Sequence, residues 1–187
     1  MVFVPNMKKE ISFPHCLECS KFQTTCCNCA PLVPFTIKDI NKIKKLGYKE
    51  RDFITVNSYP KSFIDGNEKW WKESFVKVKN KNYKLNVKKL KKDCFFLSPG
   101  KGCKLGKSRP FVCKIYPFWI KNNKIVYESG EKKECNIGLK NVPIKKAMKL
   151  LDENPKKIRK YYSEIKKDCI KNKEKYRKIV LKLISRD

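Results

Sequence analysis

The sequence predicts an α+β fold, in which a small cysteine-rich domain with short β-hairpins is followed by a helical C-terminal extension. Three observations predict it. Two groups of cysteines lie in loops rich in proline and glycine, short runs of alternating apolar residues read as hairpins, and from Pro143 onward apolar residues recur at helical spacing. The boundary falls near residue 140, giving a cysteine domain over residues 1–140 and an extension over 141–187 packed on it.

Taken in order, the first cysteine group is Cys16-x2-Cys19-x6-Cys26-Cys27-x-Cys29, bracketed by Pro14 and Pro31 and therefore loop. A CxxC turn points two thiolates at one place, a geometry shared by zinc and iron–sulfur sites. Cys29 is an extra thiol able to stand in for Cys26 or Cys27. A helix follows: Thr36 is a good N-cap with Asp39 three residues on, Ile37, Ile40, Ile43 and Leu46 share a face, and Gly47 suits the stop. Residues 51–67 carry mixed signals and predict no single element. Of Trp70 and Trp71, one is expected in the core and the other half-exposed. Phe75 to Val87 reads as a hairpin with its turn around residues 79–82.

The stretch from Asp93 to Phe118 holds Cys94, Cys103 and Cys113 among Pro99-Gly100, Gly102, Gly106 and Pro110, with Phe95, Phe96, Phe111, Tyr116 and Phe118 around them. Turns fix thiolates without a regular ladder, and the aromatic residues exclude water. A second hairpin, turning at Asn122-Asn123, leads to Cys135. Pro143 begins a helix with Ile144, Ala147, Met148 and Leu151 on one face. Pro155 opens another running nearly to the end, with Ile158, Tyr162, Ile165, Cys169, Asn172, Tyr176, Ile179 and Leu183 along a heptad seam expected to dock on the domain. Cys169 lies in that seam and reads as a core thiol rather than a ligand.

No apolar run is long enough to cross a bilayer, and the apolar patch at the amino terminus is too short for a signal peptide. A cytoplasmic location is expected, where thiols stay reduced and clustered cysteines point to metal. With 10 cysteines and one histidine, coordination is expected to be all-thiolate. The spacing of Cys94, Cys103, Cys113 and Cys135 fits no zinc ribbon, which favours an iron–sulfur cluster over zinc. Arg109 is a candidate cofactor-binding residue, donating toward cluster sulfur; the other reading is a salt bridge or a bond to a turn carbonyl. Gly102 to Ser108 resembles a phosphate-binding loop, but its required first glycine falls on Lys101 and Pro110 follows at once, so nucleotide binding is not expected.

Forty-six Lys and Arg stand against 18 Asp and Glu, a formal charge of +28. Such a field attracts polyanions or acidic partners. Only Arg51, Arg109, Arg159, Arg177 and Arg186 are arginines, so bulk potential outweighs base-reading contacts, and nucleic-acid affinity is expected to be non-specific.

The ordered motifs CxxC, CC, T-x-x-D-I (Thr36 to Ile40), C-x-F-L (Cys94 to Leu97), Gly102-Cys103 and R-P-x-x-C-x-x-x-P-F (Arg109 to Phe118) closely resemble the YkgJ-like cysteine-cluster family of zinc- or iron-chelating domains. A related domain occurs in flagellin lysine N-methylase. The resemblance spans Cys16 to Cys135 and implies the ligand set Cys16, Cys19, Cys26, Cys27, Cys94, Cys103, Cys113 and Cys135. The gap between CxxC and CC is longer here than in the family, and the C-terminal helices lie outside the match.

The expected function is metal binding through this cysteine cluster, with an iron–sulfur cluster of the [4Fe–4S] type as the preferred cofactor and zinc as the alternative. It would serve a redox or protein-modification role on a protein partner or substrate. The alternatives are a structural-zinc module that binds nucleic acid through a Lys-rich surface, and a lysine N-methyltransferase-like enzyme. No glycine-rich nucleotide turn or radical-type CxxxCxxC triplet occurs, so no catalytic residue is assigned.

Overall fold

The computed structural model describes Cys27 and residues 33–127 and 142–185. Helices alternate with small antiparallel sheets, an α+β arrangement. Cys16, Cys19, Cys26, Cys29 and Cys135 lie outside the described residues.

Helix α1 (Ile37–Lys45) forms where its cap was expected. The Thr36 hydroxyl accepts from the Asp39 N–H at 3.0 Å and the Asp39 carboxylate accepts from the Thr36 N–H at 3.1 Å, satisfying two otherwise orphaned donors. Ile37, Ile40 and Ile43 are buried on its inner face. Gly47 ends it at φ +90°, where a Cβ would be strained.

The unassigned region resolves into α2 (Glu50–Phe53), strand β1 (Ile54–Tyr59) and the short α3 (Lys61–Asp65), followed by α4 (Lys69–Lys72). Strands β2 (Val76–Val78) and β3 (Lys81–Val87) form the first hairpin, with Val78 opposite Lys81 across the two-residue turn Lys79-Asn80. β1 then adds to the free edge of β3, giving the order β1-β3-β2.

This central position corrects the simple alternation read from the sequence. Leu85 and Val87 face one core, yet Lys84 and Asn86, which alternation would send to solvent, are only 4% and 1% exposed. The Asn86 amide donates to Asn57 Oδ1 at 3.1 Å and to Tyr59 Oη at 3.0 Å. The Lys84 ammonium donates to Ser74 Oγ and lies 3.2 Å from the Trp71 ring centroid and 4.6 Å from that of Phe75. The ring faces offset part of the cost of burying the charge. Trp70 is buried and Trp71 half-buried.

The central stretch folds as the two-residue strands β4 (Lys89–Leu90), β5 (Asp93–Cys94), β6 (Leu97–Ser98) and β7 (Gly102–Cys103), a 3-10 turn at Gly106–Ser108, and α5 (Phe111–Ile115). Strands β8 (Phe118–Lys121) and β9 (Lys124–Tyr127) make the second hairpin. Its turn residues Asn122 and Asn123 sit at φ +49° and +60°, the left-handed region that asparagine tolerates.

Helices α6 (Ile144–Leu150), α7 (Pro155–Lys171) and α8 (Lys173–Ile184) complete the chain. The long helix expected from Pro155 is two helices: Asn172, at φ −110° and ψ +22°, ends α7 and begins α8. The break lets one seam serve two cores. Ile158, Ile165 and Cys169 of α7 pack with Phe111, Phe118 and Met148, whereas Tyr176 and Val180 of α8 pack with α1 and the three-stranded sheet. A straight helix could not address both.

Burial holds the Lys84 ammonium down at about 7. An unfolded lysine titrates near ~10.4, so over that window the unfolded chain binds a proton that the native protein does not. Stability therefore rises with pH from about 7 toward 10 and is lost as pH falls back through that range. Thermal melts should show the protein gaining stability relative to Lys84→Met as pH rises from 7 to ~9.5. A difference independent of pH would mean the ammonium is not held in a desolvated state.

Candidate metal centre

Two small ladders present the first thiols. Cys94 lies opposite Lys89, and Cys103 opposite Leu97. The Phe95 N–H donates to the Lys88 carbonyl at 3.0 Å and the Lys104 N–H to the Phe96 carbonyl at 2.8 Å, which ties C-x-F-L to the segments before and after it. The backbone N–H groups of Phe96 and Leu97 act on the Cys94 thiol to favour its thiolate. Donors aimed at sulfur favour thiolate over thiol and are a means of tuning metal-bound thiolates.

Cys113 comes from α5. Burial pushes its thiol well above the ordinary range, and the thiols of Cys94, Cys27 and Cys103 push it further in that order. The Cys94 thiol is raised to about 11, by burial first and then by Cys27, while its two N–H donors and Lys89 act downward. One thiol of the early group, Cys27, thus acts on both Cys94 and Cys113, and Cys103 acts on Cys113. Cys169 takes no part: it is 3% exposed in the α7 core, with its sulfur 4.0 Å from the Tyr176 hydroxyl. Cys94, Cys113 and Cys169 are free thiols. Among the described residues, no group of three or more Cys, His, Asp and Glu side chains forms a metal-binding group.

Arg109 is buried, and its charge opposes the rise at Cys113. The same charge acts on the Glu153 carboxyl and on the Lys114 ammonium. Around the ladders stands an aromatic wall. Tyr48 packs edge-to-face on Phe96 and Phe95 with centroids 5.3 and 6.0 Å away, and Phe96 lies 5.8 Å from Phe53. Burial, then the Cys103 thiol, raises the Tyr48 phenol. Tyr48 follows the helix stop with nothing in its local pattern to mark it, and sequence reasoning missed it.

The position of α5 depends on two acids. Asp39 accepts from the Phe111 N–H through Oδ1 at 3.2 Å while its Oδ2 accepts from the Thr36 N–H and, at 2.7 Å, from the Thr36 hydroxyl. The T-x-x-D-I and R-P-x-x-C motifs therefore meet in space. Burial raises the Asp39 carboxyl to about 6, against the opposing pull of its hydrogen bonds and of Lys42. Asp168 of α7, 2% exposed, accepts from the N–H groups of Ile37 and Lys38 at 2.7 and 3.3 Å. The Tyr176 hydroxyl sits between the Asp168 carboxylate (2.9 Å) and the Phe35 carbonyl (3.0 Å). Asp168 was also missed; its only mark in the sequence is being an acid beside the apolar seam of a lysine-rich helix.

No family model matches the chain, and neither a curated protein nor a solved structure is significantly similar to it.

Removing the Asp39 carboxylate strands two backbone donors and a hydroxyl. Asp39→Ala should cost about 2–4 kcal/mol of unfolding free energy, measured by denaturant titration. It should also speed labelling of Cys113 by a thiol reagent, and Asp39→Asn should restore much of both. Unchanged labelling in a destabilised Asp39→Ala protein would show that the carboxylate caps the helix without setting the thiol.

Proposed function

We propose that this protein binds metal through its cysteine cluster, most favourably an iron–sulfur cluster of the [4Fe–4S] type, for a redox or protein-modification role. The observation that carries the reading is that Cys27, Cys94 and Cys103, drawn from distant parts of the chain, all act on the buried thiol of Cys113. Neutral thiols gain little from such company, and thiolates repel one another. A cation between them removes the protons and turns the repulsion into attraction.

The donor chemistry fits such a group. Cys27, Cys94, Cys103 and Cys113 would hold it, joined by Cys16, Cys19, Cys26 and Cys135 as the resemblance to the YkgJ-like family implies. The N–H groups of Phe96 and Leu97 and the Arg109 guanidinium would offset the negative charge of its thiolates. Phe95, Phe96 and Tyr48 would keep water from it. When bound, an iron–sulfur cluster supplies one-electron transfer. No described helix is long and apolar enough to cross a membrane.

Anaerobic purification followed by iron, sulfide and zinc analysis tests the reading. Brown protein with iron and acid-labile sulfide is expected. Cys113→Ala should lower metal content and melting temperature, whereas Cys169→Ala should keep its metal despite losing core packing. Colourless protein with stoichiometric zinc would replace the cluster by a structural-zinc module. Equal metal loss in both variants would remove this ligand set.

A further inference from the structure

The two acids of α7 are turned toward α1, and its outward bases are left uncompensated. Glu164 pairs with Lys38, and Asp168 is held by the backbone of Ile37 and Lys38. Lys156, Arg159, Lys160, Lys166, Lys167 and Lys171 are all exposed. At about 100° per residue they fall within an arc of about 140°, shared with Ser163 and Ile170 and free of carboxylates. None of the six is within ion-pair distance of a described carboxylate, although Lys160 and Lys167 act on Glu164 at longer range. Arg159 donates to the side-chain and backbone oxygens of Asn123, at 3.1 Å each, and keeps its charge at the surface.

We propose that this face of α7 docks on the phosphodiester backbone of a nucleic-acid duplex. The charges run for about 22 Å along a straight rod, against a duplex that carries a negative charge every ~1.7 Å of its axis. Five of the six are lysines, which supply point charge rather than the bidentate fork that reads a base edge, so the contact is non-specific in sequence. A lipid surface fits less well. The apolar stripe of α7 is spent on the core, leaving Ile170, at 45% exposure, as the one large apolar side chain in the arc. A protein interface would want buried aromatic anchors, and the arc has none.

Duplex DNA and duplex RNA of mixed sequence, each about 20 base pairs, are titrated with the full-length protein across a salt series. The protein is compared with a fourfold variant, Lys156→Gln, Lys160→Gln, Lys167→Gln and Lys171→Gln. The control, Lys61→Gln, Lys77→Gln, Lys81→Gln and Lys92→Gln, removes equal charge from exposed positions on other segments. The α7 variant should bind at least about tenfold more weakly, with a slope of log K against log salt shallower by about 3–4. The control should change the slope by less than ~1. The duplex whose binding falls more identifies the natural backbone. Equal loss in both variants would assign the affinity to diffuse charge and overturn the proposal. So would absence of salt-dependent binding to either duplex. Matching melting temperatures separate these outcomes from unfolding, and a negative result leaves the proposed metal centre standing.

Discussion

A carboxylate removed from water has to find donors, and Asp39 finds them on two elements far apart in the chain. Its partners are the N–H and hydroxyl of Thr36, which begin α1, and the N–H of Phe111, which begins α5. Both helix starts also carry buried apolar residues, Ile37 and Phe111, but apolar packing is non-directional and does not set one start against the other. The shared acid does, because a hydrogen bond left unmade in the interior costs more than most surface contacts return. Cys113 lies two residues into the helix so anchored, so the acid that fixes the helix start also sets where this thiol is presented.

Asp168 repeats the device from the opposite side. It reaches across from α7 to the same end of α1, so two buried acids share the capping of one helix. The chain has few acids, and several of them are spent in this way on internal donors. What remains outside is an excess of lysine.

The elements readable from sequence are those whose signals are local. The Thr36 cap, the asparagine turn of β8–β9 and the Asn154-Pro155 helix start all carry their own stereochemical reason within three or four residues. Elements defined by tertiary neighbours were harder. β1 has no clean alternation because it is known by its pairing with β3, and the burial of Lys84 follows from β3 being in the middle of a sheet rather than at its edge. The break at Asn172 is invisible to a heptad pattern, since the apolar spacing continues through it while the direction changes. Among the candidate thiols, Cys27, Cys94 and Cys103 act electrostatically on Cys113, whereas Cys16, Cys19, Cys26 and Cys135 lie outside the described residues.

The separation of Cys27 from Cys113 along the chain bears on how the protein is made. Translation adds roughly 5–20 residues per second, so the early thiols leave the ribosome several seconds before the helix that carries Cys113. Through that interval they are exposed, nucleophilic and without a pocket. A cell that makes this chain has to keep them reduced until α5 has formed.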